Sequence, residues 1–281
     1  MGTAITKELI AAGYFVTIWN RNQDRAHQVA SEINSPLLIV SPTAKLALVN
    51  ADLAICTFTN GEVTQSVLLN DSSVLQGVKS DLIIVDMGTS GVESAHTLAS
   101  TLRRKEISFI DAPVSGSVAT IAAHQLLIMA SGEESIIEKV RPVFSAFAKK
   151  TVFLGEAGSG QAMKLAVNLI VHTLSAAVSE GLALATANGI NASVAYDVLE
   201  DSVVSAPFVK YKRAAFLDAN TPVAMRIDTV LKDLGLILEL GKTSGVGLTS
   251  TIGVTDLYAH AQRAGFEAQD MAALFRYISQ T

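Results

Sequence analysis

Seven short strand-like apolar runs lie within the first 154 residues, and no convincing strand pattern follows residue 160. They are 14–19 (YFVTIW), 37–40 (LLIV), 52–58 (DLAICTF), 82–86 (LIIVD), 107–111 (ISFID), 126–130 (LLIMA) and 151–154 (TVFL). Several are nearly continuous in apolar residues, as strands buried on both faces require. Helical patterns such as 21–33 and 90–105 separate them. This alternation predicts a mostly parallel sheet with helices on both faces. A glycine-rich break, GEAGSG at 155–160, then marks a hinge or a helix start. Beyond it come only helical patterns, at about 160–188, 191–202, 207–218, 225–244, 250–264 and 268–279. The predicted organisation is an α/β domain over 1–156 and an all-helical domain over 157–281, opening on a long helix between the two.

The first 21 residues, MGTAITKELIAAGYFVTIWNR, look like the second half of a strand–helix–strand unit that binds a dinucleotide. Asn20 and Arg21 then follow the strand whose end meets the adenosine ribose. An acidic residue there favours NAD, whereas Asn beside Arg accommodates the extra phosphate of NADP; the alternative is an exposed turn with a solvated arginine. A net charge of −5 with no basic stripe argues against nucleic acid as a partner. The lone Cys56, within an apolar run, reads as core and fits a reducing cytoplasm. The most apolar stretch, 162–187, is interrupted by Lys164, Asn168, His172, Ser175, Ser179 and Glu180, which argues against a membrane span. The five histidines show no metal-ligand spacing.

The segment from 159 to 189 carries the most chemistry. Gln161, Lys164, Asn168, His172, Ser175 and Ser179 recur at steps of three or four and share one face of a helix that is otherwise Ala, Val, Leu, Ile and Met. The stripe has to face a cleft, a polar partner or a narrow strip of solvent. Lys164 is either a lysine snorkelling from the surface or a proton donor one turn from Asn168, and the pattern leaves both open. At a strand end, DAPVSGS (111–117) offers successive backbone N–H groups to a carboxylate, or is a plain turn. DMGTSG (86–91) is a second strand-to-loop transition expected at the same sheet edge. Lys232 and Asp233, adjacent on a helix, read as ordinary surface charges, because neighbours i and i+1 do not face each other.

Together these pieces resemble the β-hydroxyacid dehydrogenases, the group of 3-hydroxyisobutyrate dehydrogenase and the glyoxylate/succinic semialdehyde reductases. The resemblance runs end to end and rests on DAPVSGS at 111–117, GSGQAMKLAVN at 158–168 and LKDLGL at 231–236, in that order. It implies a Rossmann-like first domain and a helical domain for substrate and dimerisation. By its positions Lys164 is the catalytic lysine, with Asn168 its substrate-binding partner. Ser115 and Gly116 hold the substrate's acid group, and Thr89 lies near substrate and nicotinamide. Lys232 and Asp233 close the site from the helical domain. The cofactor-binding set implied is Gly2, Asn20, Arg21, Asn22, Phe58 and Thr89, with NADP preferred over NAD. The expected activity is hydride transfer between NADPH and a small aldehyde or 2-oxo acid, or its hydroxy acid, by a cytoplasmic homodimer or homotetramer.

Four departures qualify that expectation. Ser117 stands where a second glycine is usual, His124 where a glycine is, and Met225 where an aromatic is common. These favour, as an alternative, an imine or bulkier carbonyl reductase of the same architecture, although Lys164 argues against it. Finally, Met1 and Gly2 match the last two positions of the family's G-x-G-x-x-G loop. The first strand and most of that loop are then expected to be missing, through a misplaced start, and an inactive truncated chain is the remaining alternative.

Overall fold

Each apolar run of the first half contributes a strand. In the computed structural model, which describes residues 1–280, these are β1 (Val16–Ile18), β2 (Leu38–Val40), β3 (Leu53–Cys56), β4 (Ile83–Asp86) and β5 (Ser108–Asp111), then β7 (Leu126–Gly132) and β8 (Ala148–Phe153). A two-residue strand, β6 (Val114–Ser115), lies inside the segment read as a loop. The helices between them are α1 (Gly2–Ala11), α2 (Gln23–Ile33), α3 (Ala44–Leu48), α4 (Gly61–Gln65), α5 (Val92–Arg103), α6 (Val118–Ala122) and α7 (Glu134–Ser145). Asn22, Thr43 and Asn60 start α2, α3 and α4 by accepting the N–H groups of Arg25, Leu46 and Val63.

β1 and β2 pair in parallel as a sheet of their own. The other six strands form a mixed sheet in which β3–β4, β4–β5 and β7–β8 are parallel while β5–β7 and β6–β7 are antiparallel. Successive residues point to opposite faces, and both faces are covered. Val85 and Ile110 pack with α1 (Ile5, Leu9) and α7 (Ile137, Val140, Phe144), whereas Ile84 and Phe109 pack with α5 (Leu98, Leu102). Burial is complete at Ile84, Val85 and Ile110 but not at β1 or β3, and Phe15 is 82% exposed. Among the described residues no ladder joins β1 to β3. Their following residues nonetheless meet, the Trp19 and Phe58 rings lying edge-on with centroids 6.4 Å apart.

The chain divides into two compact units, Met1–Lys164 and the part from Leu165 onward, and the division falls within one continuous helix, α8 (Ser159–Ala187). The second unit continues with α9 (Ala192–Asp201), α10 (Pro207–Leu217), α11 (Ile227–Thr243), α12 (Thr249–Ala261) and α13 (Leu274–Ile278). Its core is built on Tyr196, Phe216, Ile227, Leu234 and Tyr258. The helix expected over 268–279 is instead a 3₁₀ turn, Met271–Ala273, leading into α13. Asp270 imposes that start, its Oδ1 accepting the Ala272 N–H at 3.1 Å. By length and mean hydropathy (1.4) α8 could cross a membrane. Its polar residues Gln161, Asn168, His172, Ser175 and Ser179 are however buried, as on a helix inside a protein core.

Candidate functional site

At the ends of β1 and β3, the first unit gathers most of the residues expected to bind a cofactor. Gly2 lies over Thr57, so close that a Cβ would come within 2.9 Å of its hydroxyl. Phe58 follows directly, against Trp19. Asn20, Arg21 and Asn22 form the exposed turn between β1 and α2, where the Asn20 side chain accepts the Asn22 N–H. Beside it runs a groove of about 430 Å³ lined by Thr3, Asn22, Asp24, Arg25, Gln28 and Glu32. Arg25 was not singled out by the sequence, although it sits one helical turn past Arg21. No side chain caps α1, so its first-turn N–H groups stay available to an anion.

A second cluster ties the loop after β4 to the end of β5 and to the first turn of α8. Its hub is Gln161, wholly buried. Gln161 Oε1 accepts the N–H groups of Ser90 (2.9 Å) and Gly91 (3.1 Å), while Nε2 donates to the Gly88 carbonyl and to Asp111 Oδ1, both at 2.9 Å. Asp111 Oδ2 accepts from the Ser131 hydroxyl and from the N–H groups of Gly158 and Gln161. Burial pushes the Asp111 carboxyl above its ordinary range, against the pull of these donors. Gly158, at φ 98°, supplies a backbone turn that an L side chain would strain, and a Cβ there would also strike His96. Thr89 sits half-buried in the loop so fixed, and half-buried Lys164 stands one turn after Gln161 on α8.

The DAPVSGS segment is more committed than a free run of N–H donors. Ser115 pairs with Leu127 in the β6–β7 ladder, and the Ser117 N–H is spent on Thr120 Oγ1 at 2.7 Å. Gly116 takes φ 143°, with Thr120 and Leu126 filling the space where a Cβ would lie. The candidates for binding an acid group are thereby the Ser115 hydroxyl and the Gly116 N–H.

In the second unit the structure corrects one reading. Lys232 and Asp233 are not ordinary surface charges: Lys232 Nζ lies 2.8 Å from Asp233 Oδ1, and the Asp233 side chain is 2% exposed. The flexible four-carbon lysine stem folds back along the helix, which the rule for rigid neighbours does not cover. Asn168 Nδ2 donates to Asp233 Oδ2 at 2.7 Å, and His172 Nε2 lies 3.6 Å from the same oxygen. Burial alone would raise the Asp233 carboxyl, but His172 and Lys232 together hold it below its ordinary value. The expected residues therefore fall into two groups: Gly2, Asn20, Arg21, Asn22, Phe58, Thr89, Ser115, Gly116 and Lys164 in the first unit, and Asn168, Lys232 and Asp233 in the second.

Parallel strands with a basic turn at the end of β1 are an arrangement in which doubly wound domains bind nucleotides. The family model for the NAD-binding domain of 6-phosphogluconate dehydrogenase matches residues 1–155. The model for the NAD-binding domain of NADP-dependent 3-hydroxyisobutyrate dehydrogenase matches residues 158–278. Glyoxylate/succinic semialdehyde reductase 1 of Arabidopsis thaliana is 27% identical, over 99% of this chain and 95% of its own length. The structure of Mycobacterium tuberculosis 3-hydroxyisobutyrate dehydrogenase with L-serine is 25% identical at a TM-score of 0.84, covering 99% of this chain and 95% of that one. An imine reductase from Pseudomonas sp. shares the fold, at 24% identity, a TM-score of 0.66 and coverages of 98% and 95%. The chain belongs to the β-hydroxyacid dehydrogenase family.

Proposed function

We propose that this chain is an NADP-preferring cytoplasmic reductase of a small aldehyde or 2-oxo acid bearing a carboxylate, running in reverse on the corresponding hydroxy acid. One observation carries the reading: the buried Gln161 hub anchors the first turn of α8 and so sets the position of Lys164, one turn on, with Asn168 one turn further and itself fixed by Asp233. Lys164 gives its proton to the carbonyl oxygen in reduction and takes it back in oxidation. Asn168 orients the lysine or the substrate. The Ser115 hydroxyl and the Gly116 N–H hold the substrate's acid group and Thr89 lines the reacting end, with Lys232 and Asp233 as further substrate-binding residues. The bound nicotinamide supplies or accepts the hydride.

The residues present fit that cofactor. The uncapped N-terminus of α1 at Gly2 suits a pyrophosphate. Phe58 beside Trp19 offers an apolar wall, and Asn20, Arg21, Asn22 and Arg25 offer donors and positive charge to a ribose phosphate. The double variant Arg21→Ala/Arg25→Ala is expected to weaken NADPH by about 10-fold or more, the value of one charge-assisted hydrogen bond, and to leave NADH within about two-fold. Isothermal titration with both nucleotides checks this.

A homodimer or homotetramer is part of the proposal. Leu184, Val194, Val198 and Val203 are exposed on the helical unit, at 69%, 54%, 63% and 102%. Light scattering on the eluting protein is expected to give at least twice the monomer mass, and Val194→Asp/Val198→Asp to shift it toward monomer.

Titration of the purified chain with NADPH and NADH, followed by turnover of glyoxylate, succinic semialdehyde and a cyclic imine, tests the function. Tight NADPH binding with turnover of a carboxylate-bearing aldehyde is the expected result. Absence of binding to either nucleotide overturns it. Preference for the imine would favour the second reading, with which Ser117, His124 and Met225 agree.

A further inference from the structure

We infer that His172 is a positioning residue, whose buried imidazole pins the Asp233 carboxylate and through it the orientation of the Asn168 amide; this rests on the site proposed above. His172 lies one turn beyond Asn168 on α8 and is 1% exposed. Neither of its ring nitrogens has a hydrogen-bond partner. A ring buried with both nitrogens unbonded is costly relative to one whose nitrogens are satisfied. An apolar side chain would fill the position more cheaply, so the imidazole needs a reason beyond packing.

The reason lies across from it on α11. Asp233 Oδ2 has two neighbours from α8, Asn168 Nδ2 at 2.7 Å and His172 Nε2 at 3.6 Å. Its Oδ1 faces Lys232 Nζ at 2.8 Å. The carboxylate is thus held at three points: by the lysine on one oxygen and by the amide and the imidazole on the other. At 3.6 Å the imidazole is beyond hydrogen-bond range, but within reach of a charge–dipole or ion-pair attraction that burial leaves unscreened.

The consequence reaches Asn168. An amide facing an ionised carboxylate has to present its NH₂, because a carboxylate only accepts. A pinned, ionised Asp233 therefore fixes which way the Asn168 amide faces, and its carbonyl oxygen is turned away as an acceptor. With the imidazole gone, the carboxylate keeps only Lys232 and Asn168 and can rotate about its Cβ–Cγ bond. The Asn168 amide, which donates to that carboxylate, follows the rotation and loses its fixed position.

The test compares wild type, His172→Leu, His172→Gln and Asp233→Asn in the full chain. It uses steady-state kinetics with NADPH and ¹H–¹⁵N spectra of the Asn168 side-chain amide, assigned by its loss in Asn168→Ser. For His172→Leu, kcat is expected to fall roughly 10–100-fold with the KM for NADPH unchanged, and the Asn168 amide signals to shift or broaden. His172→Gln, which keeps an N–H donor, should recover most of both. Asp233→Asn should move the amide signals as His172→Leu does, and supplies that comparison if the leucine variant does not fold. Wild-type kcat and wild-type amide signals in His172→Leu overturn the inference. So does a glutamine variant no better than leucine, since the ring would then only fill space. If the wild type turns over no substrate, the proposed function fails, and the amide spectra alone decide the role of His172.

Discussion

Lys164→Ala is expected to lower kcat for carbonyl reduction by about 10²–10⁴-fold, the range for removing a positioned general acid. NADPH affinity should stay within about two-fold, because the cofactor-side residues Gly2, Asn20, Arg21, Asn22 and Phe58 lie on other elements of the first unit. Folding should be almost untouched. Lys164 is half-buried, and Gln161 and Asp111 anchor the first turn of α8. A loss confined to kcat, with normal melting temperature and normal cofactor titration, identifies an interaction made in the transition state. A retained kcat removes the lysine from the chemistry, and the reading of the site as a hydroxyacid site with it. Gln161→Leu gives the contrasting pattern: it strands the N–H groups of Ser90 and Gly91, the Gly88 carbonyl and Asp111 Oδ1. Stability and activity should then fall together, by about 1–3 kcal/mol for each group left buried and unbonded.

Where structure follows from local pattern, the sequence was readable. Strands such as 82–86 and 107–111 are buried on both faces and announce themselves as unbroken apolar runs; α8 announces itself by a stripe at helical spacing. β6 is two residues long, next to Pro113, and has no period to read. Its place is set by β7, to which Val114 and Ser115 pair across more than ten intervening residues. The helix start at Asp270 was equally hidden, since it depends on what that carboxylate meets elsewhere in the chain. The candidate site divides in the same way. Lys164 and Asn168 were visible as a stripe, but the groups that hold the stripe were not. Gln161 is bound to Asp111 fifty residues earlier and Asn168 to Asp233 sixty-five later, with His172 facing the same carboxylate. Lys232 and Asp233 were misjudged because adjacency along a helix says nothing about burial. What spacing lacked was the partner, and buried polar partners are chosen by tertiary packing.

Lys212→Met should destabilise the helical unit by about 3–5 kcal/mol, the cost of removing one partner from a buried ion pair. Lys212 Nζ donates to both Asp270 oxygens, at 2.6 and 2.8 Å, and both residues are about 5% exposed. Asp270 also accepts the N–H groups of Ala224, Met225 and Ala272. Burial would push its carboxyl up, but Lys212 and these donors together hold it below its ordinary value. A folded-state pKa below the unfolded one gives stability that is whole above the unfolded value, about 4, and is lost as pH falls through the folded value. The stability gap between wild type and Asp270→Asn should therefore be full at neutral pH and shrink as pH falls below about 4. Urea unfolding across that range measures it. Lys212→Met should behave oppositely to wild type in acid, because its unpaired carboxyl is relieved by a proton. The double variant Lys212→Met/Asp270→Asn removes the stranded charge, and should be more stable than Lys212→Met alone. It should stay below wild type, since an amide has one acceptor oxygen for three backbone donors that a carboxylate serves with two. Those donors include Ala224 and Met225, just before α11 begins at Ile227. The pair thus anchors the entry to the helix carrying Lys232 and Asp233. If Lys212→Met costs less than about 1 kcal/mol, the range of an exposed pair, that anchor is not needed and the helix is set by packing around Ile227, Val230 and Leu234 instead.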